Sequence, residues 1–286
     1  MRMLNCPCCA SLLLAAGCLL SLPGTSGQTL NCSGTSASDN PAARDQINQG
    51  VKAYRSARYD EAMAYFGKAT QLAPCLTIAR MYLATAQAQN VIPALNTPDN
   101  LKIAEQAIAN FQIVLAQDPH DVNSLKAVAG IYFSVKRQDD AREWQMKVLS
   151  ENPKDPEAAY TIGVIDWTQA QSNALKALTA VGLLDDGEGN AKAPLEVLAA
   201  IKQQNSALIA EAMQYLTAAI ADRPDYDDAM AYLNLAYRRK ADTDYDDPAH
   251  RDEDIAEAKE WSRKAMLVRK ENERRKLAQP DLSLPQ

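Results

Sequence analysis

Four stretches of this chain close in the same way: Ala62…Phe66…Ala69…Pro74, Ala107…Phe111…Val114…Pro119, Ala141…Val148…Pro153 and Ala212…Leu216…Ala219…Pro224. A fifth, Ala258…Ala265, keeps the spacing without the proline. Pro119 and Pro153 stand 34 residues apart. Small residues at fixed helical offsets let two helices approach closely, and a closing proline cannot continue the helical hydrogen-bond ladder. A repeating unit of about 34 residues with these features specifies stacked helix hairpins. Arrays of this kind bind other molecules more often than they catalyse.

Composition agrees with helices. The 286 residues are 47% hydrophobic, enough for a real core, and much of that content is alanine and leucine. Few segments alternate apolar and polar residues with β-branched enrichment, so strands have little support. The fold class read from the sequence is all-α. The net charge is −6, with both signs interspersed. Binding to phosphate needs a basic surface, so nucleic acid is not expected as a partner.

The first 27 residues read as a targeting segment rather than as fold. Ala10 to Leu22 is almost unbroken apolar sequence after Arg2, too short for a permanent membrane span and right for the apolar region of a secretory signal. Thr25-Ser26-Gly27 offers cleavage before Gln28. Export to the periplasm or beyond is expected, with no transmembrane segment in the mature chain. A rival reading is a lipid anchor, because Leu14-Ala15-Ala16-Gly17-Cys18 resembles a bacterial lipoprotein box with Cys18 as the acylated residue. Cys6, Cys8 and Cys9 leave with a cleaved signal, so Cys32 and Cys75 remain. In an oxidising compartment these two can form a disulfide or stay as separate thiols. Residues 28–42 are rich in Ser, Thr, Asn and Gly and read as a flexible linker.

Gly50, Tyr54, Tyr59, Ala62, Phe66, Ala69 and Pro74 together resemble the unit of the tetratricopeptide repeat (TPR) family. The resemblance runs from about residue 43 to 270. It implies a TPR-type α-solenoid of about five helix hairpins with a C-terminal capping helix. Two units fit only with inserted residues: about 11 extra near 90–99, including Pro93 and Pro98, and about 37 extra over 168–205. A third looser stretch is 241–253. Asp99 is read as the N-cap after the first insertion. In the second, Leu175, Leu178 and Val181, and then Leu195, Leu198 and Ile201, keep helical spacing around the turn Asp185–Asn190. Both helices of that hairpin should therefore be long, either jutting from the array or packing on a neighbour. The charged run from Arg269 to Lys276 reads as the polar end of the capping helix, with residues 271–286 completing that end and a loose tail.

Catalytic chemistry finds little support. His120 and His250 have no Ser or Cys partner in a recognisable arrangement, and no phosphate-cradling glycine loop is present. The chain is read as non-catalytic and without cofactor. One acidic stretch, Asp242, Asp244, Asp246 and Glu253, resembles a helix-flanked calcium loop, although Asp247 stands where glycine makes the sharp turn; a solvated acidic loop is the alternative.

In TPR proteins the inner wall is built mainly from the first helix of each hairpin. Projecting that pattern here implies a partner groove of Tyr54, Arg55, Tyr82, Lys126, Phe133, Tyr160, Trp167, Tyr232, Arg238 and Arg239. Rings supply contact area and arginines directed hydrogen bonds, which suits a protein or peptide partner. About half of these rings are expected in inter-hairpin packing. Two readings follow. One is an exported protein-interaction scaffold; the other is a lipid-anchored envelope assembly component.

Overall fold

A computed structural model describes residues 40–278. The described residues lie within a single compact unit of the chain. The expected signal, Cys18, Cys32, most of the linker and the tail beyond 278 lie outside the described residues.

The described residues contain ten helices and no strand: α1 Pro41–Arg55, α2 Tyr59–Leu72, α3 Thr77–Gln89, α4 Pro98–Gln117, α5 Val122–Ser134, α6 Gln138–Glu151, α7 Pro156–Ala180, α8 Leu195–Asp222, α9 Asp227–Thr243 and α10 Pro248–Ala278. Each odd-numbered helix pairs with the next to make a hairpin, and each hairpin packs on its sequence neighbour. None of these helices is long and apolar enough to cross a membrane.

The closing prolines act through the residue before them. Ala73, Asp118, Asn152 and Arg223 all leave their helices in extended conformations, with φ between −140° and −130° and ψ between 78° and 91°. A residue preceding proline is pushed out of the helical region by the proline ring, so the helix must stop there. In each case the amide three residues later then closes a turn onto that residue's carbonyl, as with Leu76 onto Ala73 and Tyr226 onto Arg223. Proline at the second place of such a turn is pre-set for it. One sequence mark thus produces the same four-residue turn four times.

The turns inside hairpins have their own repeat. Arg58 N donates to the Ala53 carbonyl and Ala57 N to that of Tyr54; Arg137 and Lys136 repeat the pair on Tyr132 and Phe133, and Leu183 and Gly182 on Leu178 and Thr179. This double bond pattern ends a helix with one left-handed residue. Those residues are Ala57 at φ 55°, Lys136 at φ 63° and Gly182 at φ 75°.

Helix contact inside a hairpin is set by small residues. A Cβ on Gly50 of α1 would collide with the Phe66 ring of α2, and one on Gly163 of α7 would lie 2.7 Å from Leu216 Cγ and 3.1 Å from the Ala212 carbonyl of α8. Ala62, Ala69, Ala107, Ala141, Ala212, Ala219 and Ala258 are fully buried at the corresponding seams.

The looser stretches resolve differently from expectation. Residues 90–97 do connect α3 to α4, but Thr97, not Asp99, caps α4, its side chain accepting from Asn100 N. Asn100 is buried and closes the loop: its Oδ1 accepts from Ile92 N at 2.8 Å, and its Nδ2 donates to the carbonyls of Ile92 (3.0 Å) and Leu95 (2.8 Å). We expect Asn100→Ala to cost about 1–3 kcal/mol by stranding those backbone groups; thermal melts and hydrogen exchange at the Ile92 amide measure it, and unchanged protection there refutes the role. Residues 41–42, read as linker, open α1, because the Asn40 side chain accepts from Ala42 N and Ala43 N.

The long hairpin does not stand free. Its helices α7 and α8 enclose a small core of Ala174, Leu178, Ala193, Val197, Leu198 and Ile201, against which Tyr245 packs from the α9–α10 connection. Buried Asn205 donates to the Ala170 carbonyl and accepts from Asn173, tying α8 to α7. The 181–194 loop then folds onto α9. The expected insertion at 241–253 shrinks to four residues between α9 and α10, because Asp247 caps α10 through Ala249 N and His250 N, with Pro248 in the first turn. At the far end Arg269 pairs with Asp227 and Asp228, and Asn272 donates to the Asp225 carbonyl, so the charged run is strapped to the α8–α9 turn.

Candidate functional site

A half-open cleft of about 680 Å³ lies among α1, α3 and α5. Its walls come from the first helices of three successive hairpins: Val51, Tyr54 and Arg55 from α1, Met81, Tyr82, Thr85, Ala88 and Gln89 from α3, and Asn123, Ser124 and Ala127 from α5. Phe66 of α2 and Phe111 of α4 reach through from the second helices to form the floor. The α3 residues recur at intervals of three and four, so one face of a 3.6-residue helix supplies the whole wall. Phe66 stacks on Tyr82 with ring centroids 5.3 Å apart, and Tyr54 meets Tyr59 edge-on at 5.3 Å. Burial first, and then the Tyr59 neighbour, push the Tyr54 phenol up, while a hydrogen bond with Gln89 opposes.

Of the ten groove residues expected from the sequence, Tyr54, Arg55 and Tyr82 line this cleft. The others do not join it. Lys126 is held by Asp155 at 3.0 Å and Glu157 at 2.7 Å. Phe133 packs on the core shared by α4 and α5. Tyr160, Trp167 and Tyr232 form one aromatic cluster with Tyr226, with centroids 4.9 to 5.7 Å apart. Burial pushes the phenols of Tyr160 and Tyr226 up, the latter to about 12. Arg238 donates to the Gly187 carbonyl at 2.8 Å.

Arg239 is a correction. It is 2% exposed and faces inward rather than into a groove. Its Nη2 donates to Asp185 Oδ1 at 2.6 Å, and its Nη1 lies 2.8 Å from Asp242 Oδ2. That second approach is an ion contact without a well-aligned hydrogen bond, since neither atom meets hydrogen-bond geometry. Asn190 Nδ2 bridges the two carboxylates at 3.0 and 2.9 Å. One guanidinium cannot fully compensate two buried acids. Despite its own burial, Asp185 drops to about 2 under the Arg239 charge and the bonds of Asn190 and the Gly187 amide. Asp242 is pushed by desolvation to about 6, Arg239 opposing.

The same network dissolves the calcium-loop expectation. Asp242 points inward to Arg239 and Asn190, Asp244 accepts from Lys240, and Asp246 from Lys202. Glu253 is exposed on α10. Among the described residues no three His, Cys, Asp or Glu side chains converge as a metal site. The His120 and His250 rings pair with Glu151 and Asp247, away from the cleft. Cys75 is disulfide-bonded, and its expected partner Cys32 lies outside the described residues.

Sequence reasoning missed Phe66 and Phe111 as the floor, having assigned them only to hairpin packing. It also passed over Met81, Thr85, Gln89 and Asn123. The i, i+4, i+8 spacing of Met81, Thr85 and Gln89 beside Tyr82 was the signal that could have found the α3 wall.

No protein-family model matches the sequence, and no curated protein is significantly similar to it. Solved structures do share the fold. MamA residues 41 to the end from Desulfovibrio magneticus RS-1 superposes with a TM-score of 0.54 at 15% identity, covering 81% of this chain and 97% of that one. A second MamA crystal structure gives 0.52 at 13% identity, covering 86% and 98%. YrrB, described as a TPR protein with an unusual peptide-binding site, gives 0.48 at 14% over 81% and 92%, a likeness too slight to carry any inference to this chain.

Proposed function

We propose, on the premise of a TPR-type α-solenoid fold, that the chain is a non-catalytic scaffold that holds an extended segment of a partner protein in the α1–α3–α5 cleft. The carrying observation is the convergence of three first helices on one apolar, ring-lined and half-open cavity with the exposed Arg55 and Asn123 side chains at its walls. Its volume lies within the range of about 300–1,000 Å³ common for ligand sites.

The test is a selection of displayed random decapeptides on the full chain. Binders should be lost when Thr85→Trp fills the cleft, while circular dichroism stays that of the parent. Binders indifferent to that substitution remove the cleft from the proposal.

The same reading places the scaffold outside the cytoplasm. The apolar segment 10–22 and the disulfide at Cys75 support an oxidising destination. Mass spectrometry of the mature N-terminus decides the form: Gln28 at the terminus fits a released scaffold, acylated Cys18 the anchored one, and an unprocessed Met1 opposes export.

A further inference from the structure

Resting on that scaffold reading, we infer that the cleft selects a segment in which an Asp or Glu side chain stands beside a bulky apolar one. The carboxylate meets Arg55, and the apolar group enters against Phe66 and Phe111.

Three observations point there. First, Arg55 is the only charged residue lining the cleft, and no Asp or Glu lines it, in a chain with 36 acidic against 30 basic residues. The one charge among the described lining residues is thus positive in an acidic protein. Second, Arg55 makes no ion pair or hydrogen bond among the described residues. Arginines elsewhere are engaged, as Arg58 is by Glu61, Arg142 by Asp166 and Arg269 by Asp227. An exposed guanidinium at the rim of an apolar cavity has its planar fork available for a bidentate carboxylate. Third, the floor is apolar, with Val51, Met81, Phe66 and Phe111, while exposed Asn123 carries a neutral amide that can bond a backbone running in either direction. Charge discrimination therefore falls to Arg55 alone.

A plain helix-end role is the competing account. Arg55 lies in the last turn of α1, where a cation favours the negative end of the helix dipole. That role affects folding only and leaves binding untouched.

The probe is the displayed decapeptide library on the full chain, followed by synthesis of a selected peptide and of its amide counterpart, Asp to Asn or Glu to Gln. We expect Asp or Glu to be enriched next to Leu, Phe, Met or Trp. The acidic peptide should bind about tenfold more weakly to Arg55→Ala, and its amide counterpart equally to both proteins. Arg55→Lys should restore part of the affinity. Affinity for the parent should fall with added salt, and for Arg55→Ala much less so. The melting temperature of the Ala variant should stay unchanged. Absence of acid enrichment, or equal binding of the acidic peptide by Arg55→Ala, overturns the inference. If peptides blocked by Thr85→Trp are nonetheless indifferent to Arg55, the scaffold reading survives and the acidic specificity falls. If no selected peptide responds to Thr85→Trp, both fall.

Discussion

Replacing Arg239 with methionine is expected to lower stability by about 3–5 kcal/mol, because it strands the fully buried Asp242 and leaves the mostly buried Asp185 without its cation. For a chain of this size that is a fall in melting temperature of roughly 6–20 °C. Methionine preserves much of the volume, so the loss reports the charge rather than a cavity. Asp242 is fully buried beside the deleted cation, and Asp185 keeps only the Asn190, Gln171 and Gly187 bonds. The damage should be local. Hairpins in such arrays contact mainly their neighbours, so hydrogen-exchange protection should drop in the 181–194 loop and α9 while α1 to α4 keep theirs. Adding Asp242→Asn should recover part of the loss. A melting temperature within 2 °C or so of the parent would mean that the loop is held by its apolar contacts instead.

The pair also sets a pH signature with opposing signs. Asp185 is held at about 2, below the unfolded value of 3.8, so its contribution is present above that value and disappears as pH falls through 2. Asp242 is raised to about 6, so the folded state binds a proton more tightly than the unfolded one. Its ionisation costs stability progressively as pH rises from 4 through 6. Between them, stability from this site should be greatest near the shared unfolded value of 3.8 and decline as pH rises through about 6. In Arg239→Met the decline should extend to higher pH, since Asp242 then ionises against no cation.

The second large effect is at Phe66, where truncation to alanine should cost about 3–5 kcal/mol. The ring is 1% exposed, fills the space left by the missing Cβ of Gly50 and stacks on Tyr82. Alanine removes the α1–α2 seam contact and the cleft floor together. The cost should therefore couple to its partner. Gly50→Ala alone strains α1 against the ring, whereas Gly50→Ala with Phe66→Leu should be less destabilising than the two single costs added. Strict additivity would show that the ring does not bear on Gly50. Peptide binding in the cleft should weaken in Phe66→Ala even at temperatures where the variant remains folded.

Three residues of the cleft lie where the repeat pattern projects a groove. Tyr54, Arg55 and Tyr82 are the positions that the TPR resemblance implies for an inner wall, and all three line one cavity. The same projection failed at Arg239. Its helical offset resembles that of a groove residue, but the 181–194 loop folds back across α9 and covers it. Asp185 and Asn190 reach Arg239 and Asp242 across more than fifty residues, and no local pattern marks such a pairing. The calcium-loop reading failed for a related reason: α9 continues through Asp242 and Thr243, so Asp242 is turned inward to Arg239, while Asp244 and Asp246 stay in the connection and pair with Lys240 and Lys202.

The hairpins themselves were written in the chain. Alanine and glycine at the seams set how closely paired helices approach, and each closing proline forces its predecessor into extended backbone, which makes the turn regardless of distant contacts. Those are short-range steric rules, and sequence states them directly. Tertiary packing alone decided which first helices leave a cavity between them, which rings close against a neighbour, and which arginine remains without a carboxylate. Such outcomes depend on the competition among many side chains for the same space and the same charges, which is resolved only when the hairpins meet.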